Sequence, residues 1–144
     1  RQGRVRTRAS ADFSIGYRRV KAPAHEWFVA ALLHLEPGDV AEGKAHIKTL
    51  LAKRGQAQPT QMANAGSVFK NPRGDYAARL IEASGLKGMC VGKACVSELH
   101  ANFIVNTGAA SAADIEGLIN EVRERVARAQ GITLDLEVRV IGES

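Results

Sequence analysis

The sequence predicts an α+β fold in which helices pack on a small sheet, because both helical and strand-like hydrophobic patterns occur along its 144 residues. The hydrophobic content of 45% suits a packed core. Only 5% of the residues are aromatic, so Ala, Val, Leu and Ile must supply most of that core. A chain of this length holds one domain, or one domain and part of another.

The amino-terminal region combines strand-like patterning with positive charge. Arg4–Arg8 alternates arginine with Val5 and Thr7, which predicts a strand, and Gly16 before Tyr17 predicts a bend. The net charge of +5 comes largely from basic residues near this end, namely Arg1, Arg4, Arg6, Arg8, Arg18, Arg19 and Lys21. A solvated charged face is the commoner explanation of such a cluster. A basic, non-catalytic module that binds nucleic acid is the alternative, and the scarcity of aromatic side chains for base stacking weakens it.

The next region predicts a strand followed by a helix. Trp27–Leu35 is a nearly unbroken apolar run and is predicted to be a buried strand. Asp39 then caps a predicted helix, with Glu42 in the capping-box position, and the helix runs to about Arg54 and stops at Gly55. The apolar positions that this helix is predicted to bury are Val40, Ile47, Leu50 and Leu51.

The stretch Asn64–Pro72, Asn-Ala-Gly-Ser-Val-Phe-Lys-Asn-Pro, concentrates polar chemistry in a short loop. The small residues before Ser67 leave its hydroxyl open to a ligand. Phe69 can anchor the loop in a core, Lys70 can stabilise an anion, and Asn71 can both donate and accept hydrogen bonds. On composition alone, a surface turn between two elements explains this stretch equally well.

The remainder of the chain predicts alternating helices and strands. The first helix spans Ala77–Ser84, buries Leu80 and Ile81, and stops at Gly85. Two strands follow, a glycine-interrupted one over Met89–Val96 and another over Ala101–Asn106. The second helix is capped by Ser111 with Asp114 at its third position and is ended by Gly131, and a last strand spans Thr133–Ile141. The apolar positions of the long helix are Ile115, Leu118, Ile119, Val122 and Val126. Taken alone, Glu137 on the last strand is a solvated carboxylate.

Cys90 and Cys95 are the only cysteines, and no second pair of ligands completes a zinc site, so no metal is predicted. Both are predicted to be free thiols in a reducing cytoplasm. No apolar run is long enough to span a membrane. No signal peptide is visible, but the sequence starts at Arg1 without a methionine, so this carries little weight.

Four stretches, in this order, resemble the UDP-N-acetylenolpyruvoylglucosamine reductases, the MurB family: Asn64–Pro72, Arg79–Gly88, Val96–Asn106 and Leu136–Gly142. The resemblance runs over nearly the whole chain, which looks like the later part of such an enzyme. It implies that residues 1–55 complete an FAD-binding domain. Residues 56–144 would then form a substrate-binding domain whose final strand returns to the flavin region.

The resemblance also implies roles for particular residues. Arg18 in Gly-Tyr-Arg, Ser67 and Glu137 match catalytic positions of the family. Residues expected near the substrate are Tyr17, Arg54, Lys70, Asn71 and His100. The short spacing from Arg18 to Ser67 resembles the subtype that lacks a tyrosine-bearing loop.

The implied reaction reduces a UDP-N-acetylglucosamine enolpyruvyl ether with FAD and NADPH, in peptidoglycan precursor synthesis in the cytoplasm. The implied partner is a UDP-sugar, with no nucleic acid or membrane, and the oligomeric state stays open. The family's glycine-rich flavin segments lie upstream of anything in this sequence. A catalytically inactive fragment of the reductase is therefore a second alternative.

Overall fold

The computed structural model describes residues 3–142, so Arg1 of the basic cluster lies outside the described part. The chain divides into two compact units, Arg1–Pro37 and Gly38–Ser144. Within the described residues, the first unit carries a two-stranded hairpin, and the second carries three α-helices and a four-stranded sheet. The fold class is α+β, as predicted.

The hairpin of the first unit consists of β1 (Ser14–Gly16) and β2 (Arg19–Lys21), which pair in antiparallel fashion. Tyr17 and Arg18 form its turn, so the bend predicted at Gly16 is confirmed. The φ of 54° at Arg18, the second residue of the turn, lies in the left-handed region, which residues other than glycine adopt mainly in turns. The turn therefore presents both side chains at the tip of the hairpin.

Two strands predicted in this unit do not form. Arg4–Arg8 has no regular structure, and Arg8 forms an ion pair with Glu26, with 2.6 Å between Nη2 and Oε1. Trp27–Leu35 also lacks regular structure and is exposed, with Leu32 91% accessible. A hydrophobic run becomes a buried strand only where neighbouring strands and a core cover it. Among the described residues of this unit, β1 and β2 of the short hairpin are the only strands.

The second unit begins with α1 (Val40–Ala57). The predicted cap is confirmed, because the Asp39 carboxylate accepts a hydrogen bond from the Glu42 N–H at 2.8 Å. The predicted stop at Gly55 is wrong, because a single helical glycine costs only about 1 kcal/mol relative to alanine and the helix continues past it. The prediction of a buried face is also wrong, since the apolar side chains are more than half exposed: Val40, Ile47, Leu50 and Leu51.

The sheet of the second unit has the strand order β3-β6-β5-β4, and all its neighbouring strands are antiparallel. A register shift interrupts the pairing between β3 and β6. The strand predicted over Ala101–Asn106 is confirmed from Phe103 onward. The strand bounds are Asn64–Ser67 for β3, Cys90–Val91 for β4, Ala94–Val96 for β5 and Phe103–Asn106 for β6.

Met89–Val96 forms a hairpin rather than the single strand that was predicted. Gly92, with a φ of 54°, turns the chain between β4 and β5. The prediction of free thiols is wrong, because Cys90 and Cys95 oppose each other across this hairpin and form a disulfide, with 4.1 Å between their Cα atoms. Directly opposed residues of an antiparallel pair lie close enough for such a bond, and the turn creates that opposition.

The remaining helices are α2 (Ala77–Ala83) and α3 (Ala112–Gln130). Ser111 and Asp114 form the predicted capping box, and Gly131 ends α3 in the left-handed conformation, with a φ of 68°. The long helix α3 contacts β4 and β5 and packs against α2. The helices α2 and α3 share one core with the sheet. Its largest members include Phe69, Leu80, Ile81, Leu118, Val122, Val126 and Leu134.

The predicted terminal strand over Thr133–Ile141 does not form within the described residues. Leu136 makes a single antiparallel bridge with Phe69. Leu134 is 1% exposed and belongs to the core, whereas Val140 is 61% exposed. The alternating pattern therefore buries its first part only, because no continuous edge strand lies alongside the rest.

Candidate active site

Asn64 shapes the loop that leads to Ser67. Its Nδ2 donates to the carbonyl oxygens of Met62 at 2.7 Å and Pro59 at 3.0 Å, and its Oδ1 accepts from the Gly66 N–H at 2.9 Å. Gly66 has a φ of 82°, which other residues adopt only with strain. These contacts fix the backbone immediately before Ser67, which lies half-buried at the end of β3.

The segment after Ser67 is anchored in the core. Phe69 is 2% exposed, so the predicted anchoring of the loop is confirmed. The buried Asn102 accepts a hydrogen bond from the Phe69 N–H at 3.0 Å and donates one to the Phe69 carbonyl at 2.8 Å. The Val68 N–H donates to the Asn102 carbonyl at 2.9 Å. Ser67 therefore precedes a backbone segment with few degrees of freedom.

Glu137 lies on the other side of the same segment. Its N–H donates to the Val68 carbonyl at 2.9 Å, and the bridge between Leu136 and Phe69 lies beside this bond. The Glu137 side chain is half-buried. The fold thus brings the backbone of Glu137 against that of Val68, the residue after Ser67, although the two segments lie far apart in the sequence.

Lys70 and Asn71 continue the loop on its exposed side. The Lys70 side chain is exposed, and its N–H donates to the Asp135 carbonyl at 2.8 Å. The half-buried Asn71 accepts at Oδ1 from the Ala77 N–H at 3.0 Å, which satisfies the start of α2. Its Nδ2 has no hydrogen-bond partner among the described residues and can donate to a ligand.

His100 lies in the turn before β6, and its ring is held by its neighbours. Nδ1 accepts from the Asn102 N–H at 3.3 Å, and the ring meets the Phe103 ring edge-on, with 4.9 Å between centroids. Nδ1 is thus an acceptor, which leaves the hydrogen on Nε2. Sequence reasoning missed Asn102 as a distinct feature. Its signal was an amide within the otherwise apolar run 101–105.

Arg54 lies in the last turn of α1, where its Nε donates to Oε1 of Gln58 at 3.0 Å. Gln58 lines a cleft of about 510 Å³ between residues 55–62 and the hairpin formed by β4 and β5. Arg54 does not line the cleft itself but is hydrogen-bonded to this lining residue. The cleft lining includes Glu98 and Leu99 but not Ser67.

Tyr17 and Arg18 belong to the first unit and are exposed at the tip of its hairpin. The Arg18 guanidinium lies over the Tyr17 ring, 5.7 Å from its centroid, within the range of a cation–π contact. The hairpin thus presents a planar cation backed by an aromatic ring. Such a cation can contact a carboxylate or an oxyanion through several N–H donors.

The clearest pKa shift near the loop is that of Asp75, which lies between Asn71 and α2. Hydrogen bonds from the Arg79 side chain, including one from Nε at 2.7 Å, and from the Tyr76 N–H lower the pKa of Asp75 to about 2. The carboxylate is consequently ionised at neutral pH and pairs with Arg79 one helical turn away. This pair braces the turn that follows the loop.

The described part of the chain, residues 3–142, contains no group of His, Cys, Asp and Glu side chains arranged to hold a metal ion. None of its helices is long and apolar enough to cross a membrane. Its buried side-chain nitrogen and oxygen atoms all have hydrogen-bond partners.

Fold and site together define an α+β domain that presents a hydroxyl, an ammonium and an amide from a backbone fixed on its core. Residues 58–141 match the family described as UDP-N-acetylenolpyruvoylglucosamine reductase, C-terminal domain. The chain belongs to this family.

Similar proteins support the same assignment. The UDP-N-acetylenolpyruvoylglucosamine reductases of Alkalilimnicola ehrlichii and Methylococcus capsulatus are 57% and 58% identical to it over 144 residues. These alignments cover 100% of this chain but 48% and 47% of the two relatives, so the chain spans about half their length. The crystal structure of the MurB reductase from Thermus caldophilus has a TM-score of 0.73 and 35% identity, over 90% of this chain and 46% of that one.

Proposed function

We propose that this chain forms the later part of a UDP-N-acetylenolpyruvoylglucosamine reductase, an oxidoreductase acting on a CH–CH bond, and carries its substrate-binding domain. The observation that carries the proposal is the fixed loop at Ser67 with the Glu137 backbone against it. The substrate would be the enolpyruvyl ether of UDP-N-acetylglucosamine, and the product UDP-N-acetylmuramate, a peptidoglycan precursor. The cytoplasmic location rests on the family resemblance alone, because the disulfide removes the argument from free thiols.

We propose the domain division of residues 1–55 and 56–144. The family match, which begins at residue 58, supports it. The first part would complete the flavin-binding domain and carry Arg18, and the second would carry Ser67 and Glu137. The proposal requires all three side chains to converge on one cleft in the complete enzyme.

The chemistry requires a proton donor beside a stabilised anion. Hydride addition at C3 of the enolpyruvyl group breaks the C=C π bond and moves its electron pair to C2, where the adjacent carboxylate delocalises the charge. Ser67 then gives its hydroxyl proton to C2, and solvent reprotonates the alkoxide. Because serine is a weak acid in water, the Lys70 ammonium stabilises the alkoxide. Arg18 and Glu137, the latter protonated or bridged by water, stabilise the enolate.

The nucleotide end of the substrate needs a cationic and partly apolar site. The cleft beside β4 and β5 has a volume of about 510 Å³, which falls in the usual range for ligand sites. Arg54, which is bonded to the cleft residue Gln58, can pair with the diphosphate, and the Nδ2 of Asn71 can donate to the sugar or its substituents. Tyr17 and His100 complete the set of proposed substrate contacts.

FAD and NADPH are the cofactors of the proposed reaction. FAD would supply the hydride chemistry of this reaction, and NADPH the reducing equivalents. The described residues do not fit a flavin diphosphate cradle, because the capping side chains of Asp39 and Ser111 already occupy amides at the starts of α1 and α3. We therefore expect the isolated chain to bind FAD weakly or not at all in a titration followed by flavin fluorescence. A tight, stoichiometric complex would contradict this division of labour.

The decisive experiment separates the two half-reactions in a full-length reductase that carries this chain. Ser67→Ala should leave flavin reduction by NADPH nearly unchanged, because that step needs no proton at C2. Flavin reoxidation by the enolpyruvyl substrate should slow by a factor of about 10²–10⁴, the usual contribution of a general acid. Ser84→Ala, which removes a hydroxyl bonded to the Leu80 carbonyl in α2, is the matched control. Equal slowing of both half-reactions would refute the role of Ser67.

A further inference from the structure

Asn102 is one of the two buried polar residues in the described core and is 4% exposed. It lies between Ala101 and Phe103, both buried, at the start of β6. An amide in such a place is costly unless its polar atoms are paired. Both of them are paired, and with one residue: Oδ1 accepts from the Phe69 N–H, and Nδ2 donates to the Phe69 carbonyl.

This pair of bonds replaces a missing strand contact. The pairing of β3 with β6 shifts register between Asn64 and Ser67, and the named strand β3 ends at Ser67. Beyond that point the Asn102 amide presents one acceptor and one donor to Phe69, as a neighbouring strand would do. The Asn102 carbonyl extends the same contact by accepting from the Val68 N–H at 2.9 Å.

The opposite side of the segment is paired as well. Leu136 bridges to Phe69, the Glu137 N–H bonds to the Val68 carbonyl, and the Lys70 N–H bonds to the Asp135 carbonyl. The backbone from Val68 to Lys70 is therefore held between two segments. Ser67 stands immediately before it, and Lys70 is its last residue. The side chains of Ser67 and Lys70 are therefore attached to a backbone whose position is fixed by the hydrogen bonds of Asn102.

We propose that Asn102 is a positioning residue for protonation at C2, which acts by holding Ser67 and Lys70 in the orientation that the transfer requires. This inference rests on the proposed function. Proton transfer needs a heavy-atom approach of about 3 Å, and small displacements of a catalytic group reduce rates strongly. The two hydrogen bonds between the Asn102 amide and Phe69 are called the clamp. Loss of the clamp frees the side of Val68–Lys70 that faces Asn102, while the Ser67 hydroxyl and the Lys70 ammonium stay in the protein.

The test uses Asn102→Asp in a full-length reductase that carries this chain. Aspartate has nearly the same shape and keeps the acceptor for the Phe69 N–H, but it sets a carboxylate oxygen against the Phe69 carbonyl. Reoxidation of the flavin by the enolpyruvyl substrate should slow by about tenfold or more, while reduction by NADPH changes by less than about twofold. Val126→Ala opens the core in α3 without touching the clamp, and this control should leave both rates unchanged.

A double-variant cycle separates positioning from general destabilisation. In the Ser67→Ala background, Asn102→Asp should slow reoxidation by less than about twofold, because the group that it positions is gone. A full, multiplicative loss in that background would overturn the proposal. If Asn102→Asp does not fold, Asn102→Ser takes its place, and failure of both variants to fold would overturn the positioning role in favour of a folding role.

The same cycle distinguishes this inference from the proposed function. If Ser67→Ala alone leaves reoxidation unchanged, the proposed function fails and the role of Asn102 fails with it. If Ser67→Ala slows reoxidation but Asn102→Asp slows it by the same factor with and without Ser67, only the positioning role is overturned.

Discussion

Asn71 combines a structural and a proposed substrate-binding role, and two substitutions should separate them. Its Oδ1 accepts from the Ala77 N–H at 3.0 Å, whereas Tyr76, at the N-cap position of α2, makes no side-chain cap. Loss of a side-chain cap typically costs about 1 kcal/mol, within a range of about 0.5–2 kcal/mol. We therefore expect Asn71→Ala to lower the free energy of unfolding by about 1 kcal/mol. Asn71→Asp keeps the acceptor and adds a charge that favours a helix start, so we expect a loss below about 0.5 kcal/mol.

Urea denaturation followed by far-UV circular dichroism measures the stability of each variant, with the change in midpoint read at constant slope. Arg73→Ala is the matched control, because Arg73 is exposed in the same loop and its side chain has no hydrogen bond to another described residue. In the full-length reductase, both Asn71 variants should raise KM for the enolpyruvyl substrate, since both lose the Nδ2 donor. The reasoning is refuted if aspartate destabilises as much as alanine, or if the stable Asn71→Asp protein keeps a normal KM.

Three further outcomes are expected. The Cys90–Cys95 disulfide closes a loop with a sequence separation of 5, for which chain entropy gives about 2 kcal/mol. Reductant should therefore lower the free energy of unfolding of the chain, measured by urea denaturation, by that amount and leave a Cys90→Ala, Cys95→Ala double variant unaffected. The pKa of Asp75 is lowered from 3.8 to about 2, so its stabilisation is present above pH 3.8 and is lost as the pH falls to about 2. Asp75→Asn should flatten the decline of Tm in that window, and an unchanged decline would contradict the pairing. Finally, Arg18→Lys and Glu137→Gln combined should lose less kcat in the full-length enzyme than the product of the single losses, because both act on one intermediate. Multiplicative losses would assign them to separate steps.

Local signals predicted α3 most fully. The capping box at Ser111 and Asp114, the apolar spacing along the helix and the terminal Gly131 are all contained in neighbouring residues, and the structure has each of them. The start of α1 was predictable for the same reason. Its buried face was not, because periodicity shows which side of a helix is apolar and does not show whether anything covers that side. The exposed run Trp27–Leu35 failed on the same ground.

Pairings between distant residues were harder to predict. The opposition of Cys90 and Cys95 depends on the turn at Gly92, and the single bridge at Leu136 depends on where β3 ends. Periodicity contains neither fact. The proposed role of the Ser67 loop came from the family resemblance, because its composition alone fitted a surface turn equally well. The clamp by Asn102 was not visible, because one asparagine in an apolar run does not reveal its partner.

The hydrogen bonds that hold Val68–Lys70 on both sides have a consequence for hydrogen exchange. The three successive amides of this segment donate to the Asn102 carbonyl at 2.9 Å, to the Asn102 Oδ1 at 3.0 Å and to the Asp135 carbonyl at 2.8 Å. Exchange of these amides requires local opening of both flanking segments, so their protection should approach that of the central strands. A loop ordered in this way loses little conformational entropy when a ligand arrives. Ligand binding should therefore change the exchange rates of these amides very little.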